Sequence, residues 1–303
     1  MYDIIIVGGG PAGLTAAVYG LRAGKTVLVI EKNGFGGQIA YSPKVENIPG
    51  TISISGAEFA DKLTEQAMNL GADVELENVI RIENGEVKKV YTEEGNCFEA
   101  KTVILAVGVK HRMLGLPGEE ELVGNGLSFC AVCDGAFYAG QDVAMIGGGN
   151  SALQEALLLS EVCNKVIVVQ NLAFFTGEKK LADALTAKDN VDVIFSAVVA
   201  EYLSENGSLT GIRIREENGS ERTLKLDGAF LAVGLVPENA AFAPLAELND
   251  WGYFASGEDC TTKTPGIFVA GDCRSKAIRQ VTTAAGDGAV AAMAACRYLD
   301  QLN

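Results

Sequence analysis

Asp3-Ile4-Ile5-Ile6-Val7-Gly8-Gly9-Gly10-Pro11-Ala12-Gly13 is the stretch whose reading decides the fold. The apolar run reads as a strand buried on both faces, the glycines as a tight turn, and Leu14 to Ala23 as a helix. A second strand, Thr26 to Ile30, ends at Glu31. The plan then repeats. Asp142-Val143-Ala144-Met145-Ile146 leads into Gly147-Gly148-Gly149-Asn150-Ser151-Ala152, a helix to about Val162 and a strand from Lys165 to Val169. Each copy is a β-α-β unit with a glycine-rich first turn.

Each copy is followed by a β-rich stretch with turn signals, Glu83-Asn84-Gly85 and Glu94-Gly95-Asn96 in the first, Glu205-Asn206-Gly207 and Glu217-Asn218-Gly219 in the second. Both stretches close on nearly the same phrase, Val103-Ile104-Leu105-Ala106-Val107-Gly108 and Ala229-Phe230-Leu231-Ala232-Val233-Gly234. A last strand and turn, Gly266 to Asp272, and an Ala-rich helix from about Ala284 to Leu302 have no domain of their own and return to complete the first. The expected class is therefore α/β, two nucleotide-binding-type (Rossmann-like, three-layer ββα) domains with the second inserted into the first. The expected limits are 1–112 plus 241–303 for the discontinuous domain and 113–240 for the insertion.

Composition narrows the partners. The 303 residues carry 24 Lys+Arg against 39 Asp+Glu, a net charge of −15, with 48% hydrophobic residues. That hydrophobic share excludes disorder, and the acidity argues against nucleic acid or an anionic membrane surface, both of which need clustered cations. The uncharged run Ile4 to Leu21 is broken by glycines and follows Asp3 instead of a basic segment, so a cytoplasmic location without export is expected. Among seven cysteines only Cys130 and Cys133 share a motif spacing. Cys130-Ala131-Val132-Cys133-Asp134 favours a redox dithiol with a neighbouring proton carrier over half a zinc site, since no second CxxC exists and His111 is the lone histidine. No metal is expected. Cys97, Cys163, Cys260, Cys273 and Cys296 read as packed thiols, and His111 as structural.

The first turn fits GxGxxG at Gly8, Gly10 and Gly13, with Pro11 and Ala12 between, and Glu31 falls where a carboxylate reaches a ribose hydroxyl. A dinucleotide is expected there. The second turn fits GxGxxA at Gly147, Gly149 and Ala152, but the matching position is Gln170. Positions 113–212 hold four Lys, no Arg and 13 Asp+Glu, so the usual readers of an NADP phosphate are missing, unless Lys179 or Lys180 serves from another angle. Phe174-Phe175, just beyond, reads as core or as filler of that space.

With these pieces assembled the chain resembles the low-molecular-weight thioredoxin reductases, nearly end to end. The carrying motifs are Gly8 to Gly13, Gly36-Gly37-Gln38, Val45-Glu46-Asn47-Ile48-Pro49-Gly50, Leu116-Pro117-Gly118, Cys130 to Tyr138, Gly147 to Ala152, Ala270-Gly271-Asp272 and Arg279-Gln280. The resemblance implies FAD in the discontinuous domain, a homodimer, and a dithiol that hands electrons to thioredoxin. It implies cofactor contacts from Gly8, Gly10, Pro11, Ala12, Gly13, Glu31, Lys32, Gly37, Gln38, Asn47, Ala106, Gly108, Gly271, Asp272, Arg279, Gln280 and Val281. By the same resemblance Cys133 faces the flavin, Cys130 attacks the thioredoxin disulfide and Asp134 manages the proton.

One departure matters. NADPH-dependent members carry a His-Arg-Arg run after the second strand, where this chain reads Gln170-Asn171-Leu172-Ala173-Phe174-Phe175-Thr176, and Gln154 stands where the family usually has Glu. That loss resembles the pyridine-nucleotide-independent branch, the ferredoxin-dependent flavin thioredoxin reductases. Reduced ferredoxin is thus the expected donor, with about 130 mV, roughly 6 kcal/mol for two electrons, of driving force toward thioredoxin. Its docking candidates are Arg274, Lys276 and Arg279. Hinges are expected near Met113–Leu116 and Val236–Ala241, with Gly115 and Pro237 as pivots. The competing readings are an NADPH-dependent reductase with an atypical site, a diflavin oxidoreductase and a non-enzymatic flavoprotein redox sensor.

Overall fold

A computed structural model describes residues 1–42, 45–129 and 131–302. The chain divides into two compact units, Met1–Lys110 with Val236–Asn303, and His111–Leu235. In the first, β1 (Tyr2–Val7) leads through α1 (Pro11–Arg22) to β2 (Val27–Glu31), followed by α2 (Gly56–Asn69) and β3 (Asp73–Leu76). A meander β4 (Val79–Glu83), β5 (Lys88–Thr92) and β6 (Cys97–Leu105) follows. Strand β6 serves two layers. Its start pairs antiparallel with β5, and Thr102 to Leu105 runs parallel to β1.

The chain leaves this unit at β7 (Lys110–His111). The second unit holds α3 (Glu119–Leu122), β8 (Leu127–Ser128), α4 (Ala131–Asp134), β9 (Asp142–Ile146), α5 (Asn150–Val162), β10 (Lys165–Val169), α6 (Lys179–Thr186) and β11 (Val191–Ile194). A second meander, β12 (Ala197–Glu205), β13 (Ser208–Glu216) and β14 (Glu221–Lys225), precedes β15 (Gly228–Leu231) and the return at β16 (Leu235–Val236). Strand β17 (Ile267–Val269) then pairs parallel with β6, and α7 (Val281–Leu302) closes the first unit.

Both units are three-layer ββα sandwiches. The parallel sheet of the second unit runs β11-β10-β9-β15-β8, with β12-β13-β14 as a separate antiparallel sheet. Apolar side chains line both faces of each parallel sheet, which is why β1 and β9 read as continuous hydrophobic runs and not as alternating ones. Among the described residues no helix is long and apolar enough to cross a membrane.

Helix α7 seats on α1 through small residues: Ala284, Ala291, Ala292 and Ala295 share a buried cluster with Ala12, Ala16 and Ala17. At the closest approach a Cβ on Gly288 would stand 2.1 Å from the Ala12 carbonyl oxygen, whereas one on Gly286 would meet nothing within 4 Å. The two glycines make opposite predictions. Gly286→Ala should raise stability by about 0.5–1 kcal/mol through helix propensity alone. Gly288→Ala gains the same propensity but must push two backbones apart, and should lose about 1–3 kcal/mol net. Denaturant melts of the two variants check both signs.

Candidate active site

In the first unit three backbone segments converge at the C-terminal ends of β1, β6 and β17. Gly8 has φ +107, and a Cβ there would lie 2.2 Å from the Ala106 carbonyl oxygen; a Cβ on Gly13 would lie 1.9 Å from that of Gly8. Only glycine fits either position. Gly271, with φ +83, comes so close to α1 that its Cβ would sit 2.8 Å from that of Ala12. Helix α1 starts at Gly10 with no capping side chain and no acidic residue in its first turn, so its amide end is electropositive and open to an anion.

Side chains complete the cradle. Glu31, at the end of β2, accepts hydrogen bonds from Gly9 N (2.7 Å) and Asn33 N (2.9 Å), and Gly36 N donates to Gly9 O, folding the segment after β2 along the turn. Asp272 follows Gly271, and its buried Oδ1 has no hydrogen-bond partner among the described residues. Burial pushes its pKa up against the pull of Lys276 and Arg279. An orphaned buried carboxylate oxygen beside an open helix end fits a group with hydroxyls and phosphates, as a dinucleotide has. Asn47 Nδ2 donates to Gln280 Oε1 (2.9 Å), while Arg279 lies over the Tyr253 ring at 4.0 Å and donates to the Asp272 carbonyl. Gly37 approaches Gly10 and opens the turn that carries Gln38; Gly108 takes φ +63, and Val281 begins α7. Lys32 is turned elsewhere, its ammonium on Glu238 together with that of Lys110.

The second unit repeats the backbone but not the chemistry. Gly147 has φ +131, its Cβ position 2.3 Å from Ala232 O, and Gly147 N bonds Val169 O as Gly8 N bonds Ile30 O. Gln170 therefore stands where Glu31 stands. Its buried amide packs on Gly148 and donates to Phe174 O. At the head of α5, Asn150 Oδ1 accepts from Glu178 N (2.6 Å) and its Nδ2 donates to the Glu178 carboxylate, so the acid of this turn sits at the helix head, whereas in the first unit it is Glu31, on Gly9 N. Lys179 pairs with Asp183. Phe175 packs edge-on against Phe195, while Phe174 is 61% exposed, so the pair divides between core and surface.

Cys130 lies outside the described residues, as does the side chain of Cys133. What surrounds them is described. Asp134, the last residue of α4, accepts a 2.6 Å hydrogen bond from the buried Ser128 hydroxyl. Glu155 on α5 accepts from Ala131 N (3.2 Å), and burial raises its carboxyl to about 7 against the lowering effect of that bond. The sequence reading missed Ser128 and Glu155. The available signal for Glu155 was an acid on the face of α5 shared with Ala152, Ala156 and Leu159.

Two expectations need correction. Arg274 and Lys276 are no docking surface: their side chains are 3% and 6% exposed and both bind Asp287 of α7, Arg274 through Nε (2.7 Å) and a second nitrogen (2.8 Å). Asp287 also accepts from Gly271 N (3.0 Å), so this buried network holds the Gly271–Asp272 turn in place. Cys97, expected as a packed thiol, is exposed at the head of β6, because it follows the solvent-facing turn that joins β5 to β6. The other four spectator cysteines are buried, with burial pushing Cys163 to about 11 and Cys260 and Cys273 to about 12. His111 stacks on Phe129 at 5.2 Å, its pKa lowered by burial, and the amides of Leu114, Gly115 and Leu116 are all held by the carboxylate of Glu119.

The family profile described as pyridine nucleotide-disulphide oxidoreductase matches residues 2–288. A thioredoxin reductase of Listeria monocytogenes is 39% identical over 303 residues, covering 100% of this chain and 95% of that protein. One of Bacillus subtilis is 38% identical over the same length, covering 100% of this chain and 96% of that protein. The crystal structure of a Lactococcus lactis thioredoxin reductase, 34% identical, superposes with a TM-score of 0.96 over 99% of this chain and 100% of that one.

The Asp287 network yields a pH-dependent prediction. Burial opposes ionisation of Asp287, but hydrogen bonds from Arg274 and Lys276 prevail and hold its carboxyl below the ordinary range. Its contribution is therefore complete above the ordinary carboxylate range and is lost as pH falls through its lowered value. Asp287→Asn strands two buried cations and should cost about 3–5 kcal/mol near neutral pH. The gap to the parent chain should narrow in acid, which thermal melts across pH will check.

Proposed function

The chain belongs to the low-molecular-weight thioredoxin reductases of the pyridine nucleotide-disulphide oxidoreductase family, and from that premise we propose that it reduces thioredoxin through a Cys130/Cys133 dithiol with electrons from reduced ferredoxin. FAD is the cofactor of this family, and when bound it supplies reducing equivalents in pairs. The proposed cradle is the first unit's, with Gly8, Gly10 and Gly13 at the pyrophosphate, Glu31 at a ribose, Asp272 at the hydroxylated chain, and Asn47, Arg279, Gln280 and Val281 along the ring system. In the proposed cycle two electrons and two protons open the Cys130–Cys133 disulfide. The Cys130 thiolate attacks thioredoxin's disulfide, a mixed disulfide forms and one thioredoxin thiolate leaves; Cys133 then breaks the mixed bond, restoring the chain's disulfide and releasing dithiol thioredoxin. Asp134, oriented by the Ser128 hydroxyl, carries the proton between thiol and solvent. The proposed assembly is a homodimer.

The observation that carries the choice of donor is the contrast between the twin turns. Where one presents an open helix end and a carboxylate anchored on Gly9, the other presents Gln170 turned onto Phe174 and Glu178 held against Asn150. Among the described residues the second turn shows no side-chain cation bonded at its glycines to meet an anionic dinucleotide. A second reading keeps NADPH as the donor: the Gly147 turn retains its geometry, and Lys180 stands exposed on α6.

Anaerobic stopped-flow mixing separates the two. Reduced ferredoxin should bleach the flavin and drive thioredoxin turnover, while micromolar NADPH and NADH should leave it oxidised over the same seconds. Rapid bleaching by NADPH would overturn ferredoxin as donor while leaving the thioredoxin reductase reading intact. Cys130→Ser should keep flavin reduction and lose thioredoxin turnover; turnover at the parent rate would refute Cys130 as the nucleophile.

A further inference from the structure

A bidentate pair accounts for two of the buried charges behind the Gly271–Asp272 turn. Arg274 Nε and a second guanidinium nitrogen donate to the two carboxylate oxygens of Asp287 at 2.7 and 2.8 Å, and that pair is neutral as a whole. Lys276, its side chain as buried as theirs, adds an ammonium to Asp287 Oδ2 at 2.8 Å. One positive charge is therefore left over in a place nearly without water, and it calls for an anion.

Asp272 is the anion at hand. Its Oδ1 is buried and has no hydrogen-bond partner among the described residues. The Asp287 oxygen that holds Lys276 also accepts from Gly271 N, so the ammonium stands two hydrogen bonds from the residue that precedes Asp272. Burial pushes the Asp272 carboxyl up; Lys276 and then Arg279 pull it down, and Asp287, across from α7, pushes it up. Arg279 has other work, lying over the Tyr253 ring and donating to the carbonyls of Asp272 and Arg274. From the segment before β17, Glu258 and Asp259 face Arg274, and Glu258 is 95% exposed, where water screens it. Cys260 and Cys273 are buried thiols that burial keeps protonated, and the first turn of α1, Pro11 to Leu14, brings no titratable group.

We propose that Lys276 is a positioning residue for FAD that acts through Asp272: its left-over charge keeps the orphaned Asp272 oxygen a carboxylate acceptor for a cofactor hydroxyl instead of part of a neutral acid. The proposal rests on the first unit being the FAD cradle. A hydrogen bond to an ionised acceptor is about twice as strong as one between neutral groups, so the charge on Asp272 bears directly on how firmly the cofactor is held. Lys276→Met leaves the Arg274–Asp287 pair and the Gly271 bond in place. The turn keeps its backbone anchor and only the balance of charge changes.

The test dilutes FAD-loaded, full-length protein to nanomolar concentration and follows released FAD by its fluorescence from about pH 5.5 to about pH 9. In Lys276→Met, FAD should dissociate about tenfold more readily at about pH 6.5, and the midpoint of the pH dependence should rise by about one to two units, because Asp272 then keeps its proton to higher pH. Affinity should return toward the parent value in alkali. A purely structural role predicts no such shift, and a parent-like profile overturns the proposal. Should Lys276→Met not fold, the charge-balanced pair decides: added to Asp272→Asn, Lys276→Met should change FAD release by less than about twofold. A further loss of about tenfold in that background would show Lys276 acting by another route and overturn the proposal. Failure of the cradle reading looks different, since Asp272→Asn alone would then hold FAD as tightly as the parent chain.

Discussion

A carbonyl oxygen lies closer than van der Waals contact to the position a methyl group would take on the first turn glycine of each unit, Ala106 O against Gly8 and Ala232 O against Gly147. Everything at the C-terminal edges of the sheets depends on that approach. It draws the strand that closes the sheet against the turn, sets the helix that follows on the same face, and leaves the amide end of α1 facing the crevice between β1 and β6. Because no side chain can be accommodated, the geometry is enforced by exclusion and not by attraction, and it survives in the second unit after the ligand-reading residues have changed.

That survival explains how one chain holds two turns of the same shape and different side-chain chemistry. Backbone shape is maintained by the sheet hydrogen bonds and by packing, both indifferent to what binds. Charge at the mouth of the turn is carried by a few side chains. Glu31 holds the amide of Gly9, while at the matching position Gln170 is turned away and Glu178 is brought in by Asn150. A Rossmann-like unit can thus keep its fold while its affinity for an anionic ligand is set independently, by three or four residues near 170 and 178.

The parts legible in the sequence were those with local causes. The apolar runs of β1 and β9, the glycine turns and the echoed closing phrases are each decided by neighbours within a few residues, so the α/β class and the paired units follow from them. What stayed hidden depended on a distant partner. Arg274 and Lys276 look like surface cations until Asp287, a helical turn inside α7, is seen to bury them; Glu155 looks like one acid among many until Ala131 comes against it; Glu119 is a surface-type residue that instead collects three amides and the Tyr202 hydroxyl. In each case the charged residue has a partner outside its own helix, strand or turn, 11 to 13 residues off for the Asp287 pairs, 24 for Glu155 and 83 for the Tyr202 hydroxyl on Glu119, and such pairings leave no periodic trace.

The buried thiols have a consequence for chemical selectivity. Disulfide exchange proceeds through the thiolate, and a thiol held at about 11 or 12, as at Cys163, Cys260 and Cys273, is ionised to only about one part in ten thousand or less at neutral pH. A catalyst that trades in sulfur–sulfur bonds carries these extra sulfurs without offering them as partners. They are kept out of the exchange by burial and protonation together, whereas Cys97 lies open to water and carries no such protection.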